Sequence, residues 1–137
     1  VHADNLCFCD FKAFINSHQN RAKNTEITMM LLFKTDTPSS CGIVELDKYN
    51  IVQKFHEKVK NPPSNLANGA VYICEPSIFS FLESLKMEDI DFSLDVLPNY
   101  MGKINTFLND VYLKDIGTIE NYALSQIEIL DIQNKNL

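Results

Sequence analysis

The sequence predicts an α/β domain: a mixed, mostly parallel sheet flanked by helices. Three observations carry the prediction. Apolar runs of strand length alternate with stretches of helical periodicity along most of the chain. Two strand-like segments, 41–47 and 51–58, break the alternation, since only the polar Lys48-Tyr49-Asn50 separates them, as in an antiparallel hairpin. A length of 137 residues makes one domain, able to bury roughly two thirds of its unfolded surface.

The chain opens on Val1, then His2-Ala3-Asp4-Asn5. This reads as a buried strand ending in an acid at its C-terminal tip, where open α/β sheets collect ligands. There is no initiator Met, and Val1 reads as strand interior. A bare central strand is a rare way to open a domain, so an upstream piece of the fold is expected to be missing. Asp10 then caps a helix to about Arg21, with Phe11, Phe14, Ile15 and His18 near one face, and Asn24-Thr25 closes it. The apolar run within 26–35 is a strand buried on both faces. Residues 36–40 form a loop by composition, and Pro62-Pro63 exclude regular structure after the hairpin. A strand follows over 66–74, where Gly69 and Ala70 leave room for a close approach. Pro76 starts a helix through about Leu85. Asp91 or Ser93 caps a third helix, ending near Met101-Gly102. Residues 104–108 and 111–114 are the last strands. Thr118 caps a final helix with Tyr122, Leu124, Ile127 and Leu130 as its apolar positions, before a polar tail from Asp131.

The net charge of −6 argues against a nucleic-acid surface. No apolar run approaches a membrane span, and no secretory signal is visible. Cys7, Cys9, Cys41 and Cys74 show no C-x-x-C spacing and read as reduced residues of a cytoplasmic protein. A zinc site from His2, Cys7 and Cys9 lacks a fourth ligand of recognisable spacing.

Two strand tips carry the candidate chemistry. Asp4 is one; Asp115 is the other, where Val111 to Lys114 run into Asp115-Ile116-Gly117-Thr118. Two acids on neighbouring strand ends can hold one hard divalent cation, with phosphates and water completing its shell. The alternative is that each is a strand-end or cap acid with no metal. Glu57 and Lys58 end the hairpin. As adjacent strand residues they point to opposite faces, so they cannot both be core or both be surface.

Six short stretches, in order, resemble the sugar-phosphate nucleotidyltransferases, the family of the mannose-1-phosphate and heptose-1-phosphate guanylyltransferases and glucose-1-phosphate thymidylyltransferase. They are His2-Ala3-Asp4-Asn5, Gly42 to Asp47, Phe55-His56-Glu57-Lys58, Asn68-Gly69-Ala70-Val71-Tyr72, Asp91 to Pro98, and Asp115-Ile116-Gly117-Thr118. The family's Glu-Lys-Pro is Glu57-Lys58-Val59 here, and its opening G-x-G-T-R loop is absent from the 137 residues. The resemblance therefore implies the C-terminal part of a Rossmann-like nucleotide-diphospho-sugar transferase, without the nucleotide-binding part. It implies transfer of a nucleotidyl group from an NTP to a sugar 1-phosphate, releasing pyrophosphate. Asp4 and Asp115 would bind Mg²⁺, Lys58 the sugar phosphate, and Glu57 the sugar hydroxyls, with Gly42 and Asn68 against the sugar. Residues 91–98 and 65–72 look more like the guanylyltransferases, which favours GTP. On its own the chain is expected to be inactive in transfer. A homo-oligomer stays open. So do two other readings: a non-catalytic sugar-phosphate-binding relative, and a structural domain whose acids are incidental.

Overall fold

In the computed structural model, which describes the main chain of residues 1–25 and 28–135, seven strands and three α-helices follow one another along the chain. They are β1 (Asn5–Phe8), α1 (Phe11–Gln19), β2 (Thr28–Lys34), β3 (Gly42–Leu46), β4 (Val52–Glu57), β5 (Leu66–Cys74), α2 (Ser77–Leu85), β6 (Ile104–Leu108), β7 (Tyr112–Asp115) and α3 (Ile119–Lys135). Five strands make one sheet in the order β4-β3-β5-β2-β6, and β1 pairs with β7 in a separate ribbon.

The α/β class and the mixed sheet are as expected, but the strands are mostly antiparallel rather than mostly parallel. Among the described residues only β2 and β6 run parallel, whereas β2–β5, β3–β4, β3–β5 and β1–β7 are antiparallel. The reason is connectivity. β3 and β4 are joined by too short a turn for a crossover, and β5 inserts between β3 and β2 against both. At one end the outer strands approach each other. Ile51 bridges Asn105, the Gly102 amide donates to the Val52 carbonyl at 2.7 Å, and the Thr106 hydroxyl donates to the Asn50 carbonyl at 2.9 Å.

Strand alternation in β5 divides the core between the two faces of the sheet. Val71 packs with Phe14 of α1 and Leu31 of β2, flanked by Cys7, Ile73, Phe107 and Leu113. Tyr72 and Cys74 pack with Val44, Val52, Ile78, Leu97, Tyr100 and Ile104, beneath α2. Helix α1 starts where predicted, with the Asp10 carboxylate accepting from the Ala13 amide at 2.8 Å. Phe14 and His18 are its buried residues, while Phe11 and Ile15 stay exposed. In the predicted strand over 26–35, Glu26 and Ile27 lie outside the described residues, and Leu31 is fully buried.

Three expectations are corrected. The acid of His2-Ala3-Asp4-Asn5 does not end a strand: Val1 is exposed, Asp4 lies in a turn, and β1 begins after it. The third helix is not an α-helix. Asp91 does cap it, accepting from the Ser93 and Leu94 amides, but one π-turn (Phe92–Val96) passes into a 3₁₀ turn (Leu97–Tyr100). Pro98 has no N–H to donate to the Leu94 carbonyl, so the α-helical ladder cannot continue there. The apolar positions predicted for α3 do not face the core. Tyr122, Leu124, Ile127 and Leu130 are exposed, and among the helix residues whose burial is described Ser125 is the buried one. This helix is held by its polar side instead. Glu128 accepts from the Lys114 ammonium at 2.7 and 2.8 Å and from the Tyr112 hydroxyl at 2.7 Å.

Candidate functional site

The register of the β1–β7 ribbon sets the acids side by side. Asn5 pairs with Asp115, and the Ile116 amide donates to the Asp4 carbonyl at 2.8 Å. In an antiparallel pair the start of one strand adjoins the end of the other. Asp4 therefore meets Asp115 from a strand entrance, not from a second strand tip. Gly117 lies between them: a Cβ placed on it would stand 3.0 Å from Asp115 Oδ1 and 3.2 Å from Asp4 Oδ2. Its amide donates to Asp115 Oδ1 at 2.7 Å.

This corner opens into a cleft on the sheet. Its walls include all six residues singled out from the sequence, Asp4, Gly42, Glu57, Lys58, Asn68 and Asp115, and also His2, Ser93 and Leu113. A second cleft, lined by Asp91, Phe92 and Leu94 among others, shares His2, Glu57, Lys58 and Ser93 with it. His56, by contrast, turns away to Glu45, 2.7 Å distant on the hairpin.

Each wall has a local cause. Gly42 pairs with Glu57 across the hairpin. A Cβ there would stand 2.5 Å from Phe55 Cζ and 2.8 Å from Glu57 Oε2, so glycine is what lets the ring and the carboxylate lie over it. β4 ends at Glu57, and Lys58 takes a left-handed conformation with φ 49°. That breaks the strand alternation which would have sent the two side chains to opposite faces. Lys58 Nζ lies 3.9 Å from Glu57 Oε1, and both residues line the cleft. The Lys58 side chain is 68% exposed, so the pair itself contributes little stability and leaves the ammonium accessible. In β5, Ala70 has φ 51°, and the pairing with β2 slips between Met30 and Leu32. This bulge turns Asn68 and Ala70 into the cleft. On the adjoining side, Asn5 Nδ2 donates to the Gly69 carbonyl at 3.1 Å and ties the ribbon to the sheet.

The donor set can be tested against a metal. Among the described residues no group of three or more His, Cys, Asp or Glu is placed to hold one. Zinc needs such a group. Mg²⁺ takes one or two carboxylates and fills its other positions with phosphate oxygens and water. The Asp4 and Asp115 carboxylates beside a residue without a side chain fit that second pattern.

Comparison with known proteins agrees with the architecture. A family profile described as nucleotidyl transferase matches residues 1–131. The chain belongs to the nucleotidyl transferase family. A glucose-1-phosphate adenylyltransferase of Lachnospira eligens is 28% identical over 138 residues, covering 96% of this chain and 32% of the relative. The chain thus spans about a third of the length of this curated relative. Among solved structures, HddC from Yersinia pseudotuberculosis superposes with a TM-score of 0.71 at 25% identity, over 92% of this chain and 52% of that one. A Bacillus anthracis protein assigned as a glucose-1-phosphate thymidylyltransferase, in complex with a sucrose, has a TM-score of 0.76 at 21% identity, covering 89% and 50%. At that identity it speaks for the fold alone. No helix among the described residues is long and apolar enough to cross a membrane.

Proposed function

We propose that this chain supplies the sugar-phosphate and Mg²⁺ half of a sugar-1-phosphate nucleotidyltransferase. The observation that carries the reading is convergence. Six residues from five distant stretches, bearing two acids, an acid–base pair, an amide and a glycine, line one cleft. A sugar phosphate needs a cation for its phosphate, hydrogen-bonding groups for its hydroxyls, and a wall flat enough for its ring.

In the proposed reaction an oxygen of the sugar 1-phosphate attacks the α-phosphorus of an NTP. The new P–O bond forms as the bond from the α-phosphorus to the β-phosphate bridge breaks, and pyrophosphate leaves with that electron pair. The nucleophile is already an anion, so no general base is required, and catalysis is positioning with charge neutralisation. Lys58 holds the sugar phosphate as a point charge. Glu57 accepts hydrogen bonds from sugar hydroxyls, while Gly42 and Asn68 lie against the sugar. Asp4 and Asp115 would hold Mg²⁺, which when bound neutralises phosphate charge. The 137 residues contain no G-x-G-T-R loop, the kind of segment whose amides cradle a triphosphate. A second reading is a sugar-phosphate-binding module without transfer activity.

The resemblance of residues 91–98 and 65–72 favours GTP with mannose or heptose 1-phosphate. The Lachnospira eligens relative is named for glucose 1-phosphate and adenylyl transfer, so that pair enters the assay beside them. Calorimetric titration with the three sugar 1-phosphates tests the site, and pyrophosphate release with ATP or GTP tests transfer. Binding of one sugar 1-phosphate is expected. Binding without pyrophosphate release, even when the chain is joined to a nucleotide-binding half, selects the second reading, and no binding of any of them overturns both.

A further inference from the structure

We propose that Tyr72 is a positioning residue for the sugar site: its hydroxyl fixes the Asn68 carboxamide in the one orientation the cleft can use. The proposal rests on the reading of Asn68 as a sugar contact.

Asn68 carries two hydrogen bonds of its own. Its Oδ1 accepts from the Ala70 amide at 2.8 Å, and its Nδ2 donates to the Tyr72 hydroxyl at 2.6 Å. A backbone N–H can only donate, so the first bond decides which end of the amide is oxygen. The Tyr72 hydroxyl must then be the acceptor for Nδ2. One N–H of Nδ2 and one lone pair of Oδ1 remain to address a ligand, in fixed directions.

The bulge makes this contact. Residues four apart on a regular strand stand roughly 13 Å apart, too far for a hydroxyl and a carboxamide to meet at bonding distance along one face. Here two steps on β2, Met30 to Leu32, span four on β5, Tyr72 to Asn68, and Ala70 at φ 51° folds the strand between them. The anchor is held in turn. The Tyr72 ring packs against Phe92 with centroids 4.7 Å apart, in the segment that lines the neighbouring cleft. Burial, with the Glu57 and Asp91 charges adding to it, pushes the Tyr72 hydroxyl up to about 12 against the opposing Asn68 bond. It keeps its proton throughout the working range.

The test is NMR on asparagine-labelled protein with sugar 1-phosphate titrations alongside. In the wild type one Nδ2 proton of Asn68 is expected to be protected from solvent exchange. Rapid exchange of both would overturn the proposal without any variant. Tyr72→Phe keeps the ring against Phe92, so the fold should hold. Its Asn68 side-chain signals should move toward those of a free amide, and sugar 1-phosphate affinity should fall roughly three- to tenfold, the scale of one neutral hydrogen bond. Asn68→Ala should lose more, and Tyr72→Phe added to it should cost nothing further. Unchanged Asn68 signals in Tyr72→Phe, or additive losses in the double variant, would overturn the positioning role. Unchanged affinity in Asn68→Ala would overturn the sugar-contact reading and, with it, the proposal. Normal loss in Asn68→Ala beside full affinity in Tyr72→Phe would overturn the proposal alone.

Discussion

Gly42→Ala attacks the hairpin wall of the cleft at its tightest point. The new methyl would stand 2.5 and 2.8 Å from Phe55 Cζ and Cε2, and 2.8 Å from Glu57 Oε2. Carbon atoms prefer about 3.5–4.0 Å, so the ring must retreat by roughly 1 Å and the carboxylate by several tenths. Phe55 packs against the core beneath α2, and overpacking of this kind costs about 1–3 kcal/mol. For a domain of this size that corresponds to a fall in Tm of roughly 4–12 °C. The displaced carboxylate should also lose its sugar hydroxyl. Hydrogen bonds to charged groups contribute about 1.5–3 kcal/mol, so affinity should fall roughly ten- to a hundredfold. The two effects separate in a second variant. Phe55→Leu added to Gly42→Ala removes the crowding ring atoms but leaves the methyl against Glu57. Stability should recover by thermal melt, while calorimetry still reads weak binding. If Gly42→Ala melts and binds like the wild type, the crowding argument fails. If Phe55→Leu restores binding as well, the methyl never displaced Glu57.

Lys58→Ala should weaken sugar 1-phosphate binding about ten- to a hundredfold with little change for an NTP; equal affinities by calorimetry would remove Lys58 from the site. Asp115→Asn should abolish the broadening of the Gly117 amide signal by Mn²⁺, a paramagnetic stand-in for Mg²⁺, in the presence of sugar 1-phosphate, and Asp4→Asn should do the same. Burial, and then the Arg21 charge, hold the His18 imidazole below its ordinary value. The unfolded chain therefore takes up a proton that the native state resists, and stability falls as pH drops below about 6.5. Urea unfolding at pH 7.5 and 5.5 should show that fall shrinking in His18→Gln. The Lys114 ammonium, with the Tyr112 hydroxyl, holds the Glu128 carboxyl below its ordinary value. Its stabilisation is complete above about pH 4.3 and fades as pH falls further. Glu128→Gln should lose at most about 1 kcal/mol, since the pair is solvent-screened, and the loss should disappear in acid.

Local signals were legible where one physical cause acts alone. Asp10 could cap α1 from its own carboxylate, and the short connection over 47–51 forced β3 and β4 into a hairpin. Where two causes compete, the pattern misled. The apolar stripe of α3 suggested a buried face, but Lys114 and Tyr112 bind the helix through Glu128 and leave Ile119, Ile127 and Leu130 outside. Pro98 was visible, yet its effect on the hydrogen-bond ladder turned a predicted helix into π and 3₁₀ turns. Asp4 and Asp115 stand out as acids at the ends of apolar runs, and Glu57 and Lys58 as the end of the hairpin, whereas Gly42 and Asn68 rest on family-like motifs, since spacing cannot say that Asp4 and Asn68 share a wall. The contact between Tyr72 and Asn68 is not legible in the sequence, because regular strand geometry keeps the two apart. Only the bulge at Ala70 brings them together, and an alanine gives no sign of a positive φ.

The acid pair also has a place in time. Asp4 and Asp115 stand 111 residues apart along the chain, and the ribbon that joins them closes nearly the whole polypeptide into one loop. Closing a flexible loop of that length costs on the order of 4 kcal/mol in chain entropy beyond a constant. The β3–β4 turn spans only a few residues and can zip early, whereas contacts between distant segments form slowly. The carboxylates are therefore expected to come together late in folding, which hydrogen-exchange labelling during refolding would show as late protection of the Ile116 amide. A partly folded chain would hold the hairpin, with Gly42 against Glu57, and still lack the corner where a cation could be captured.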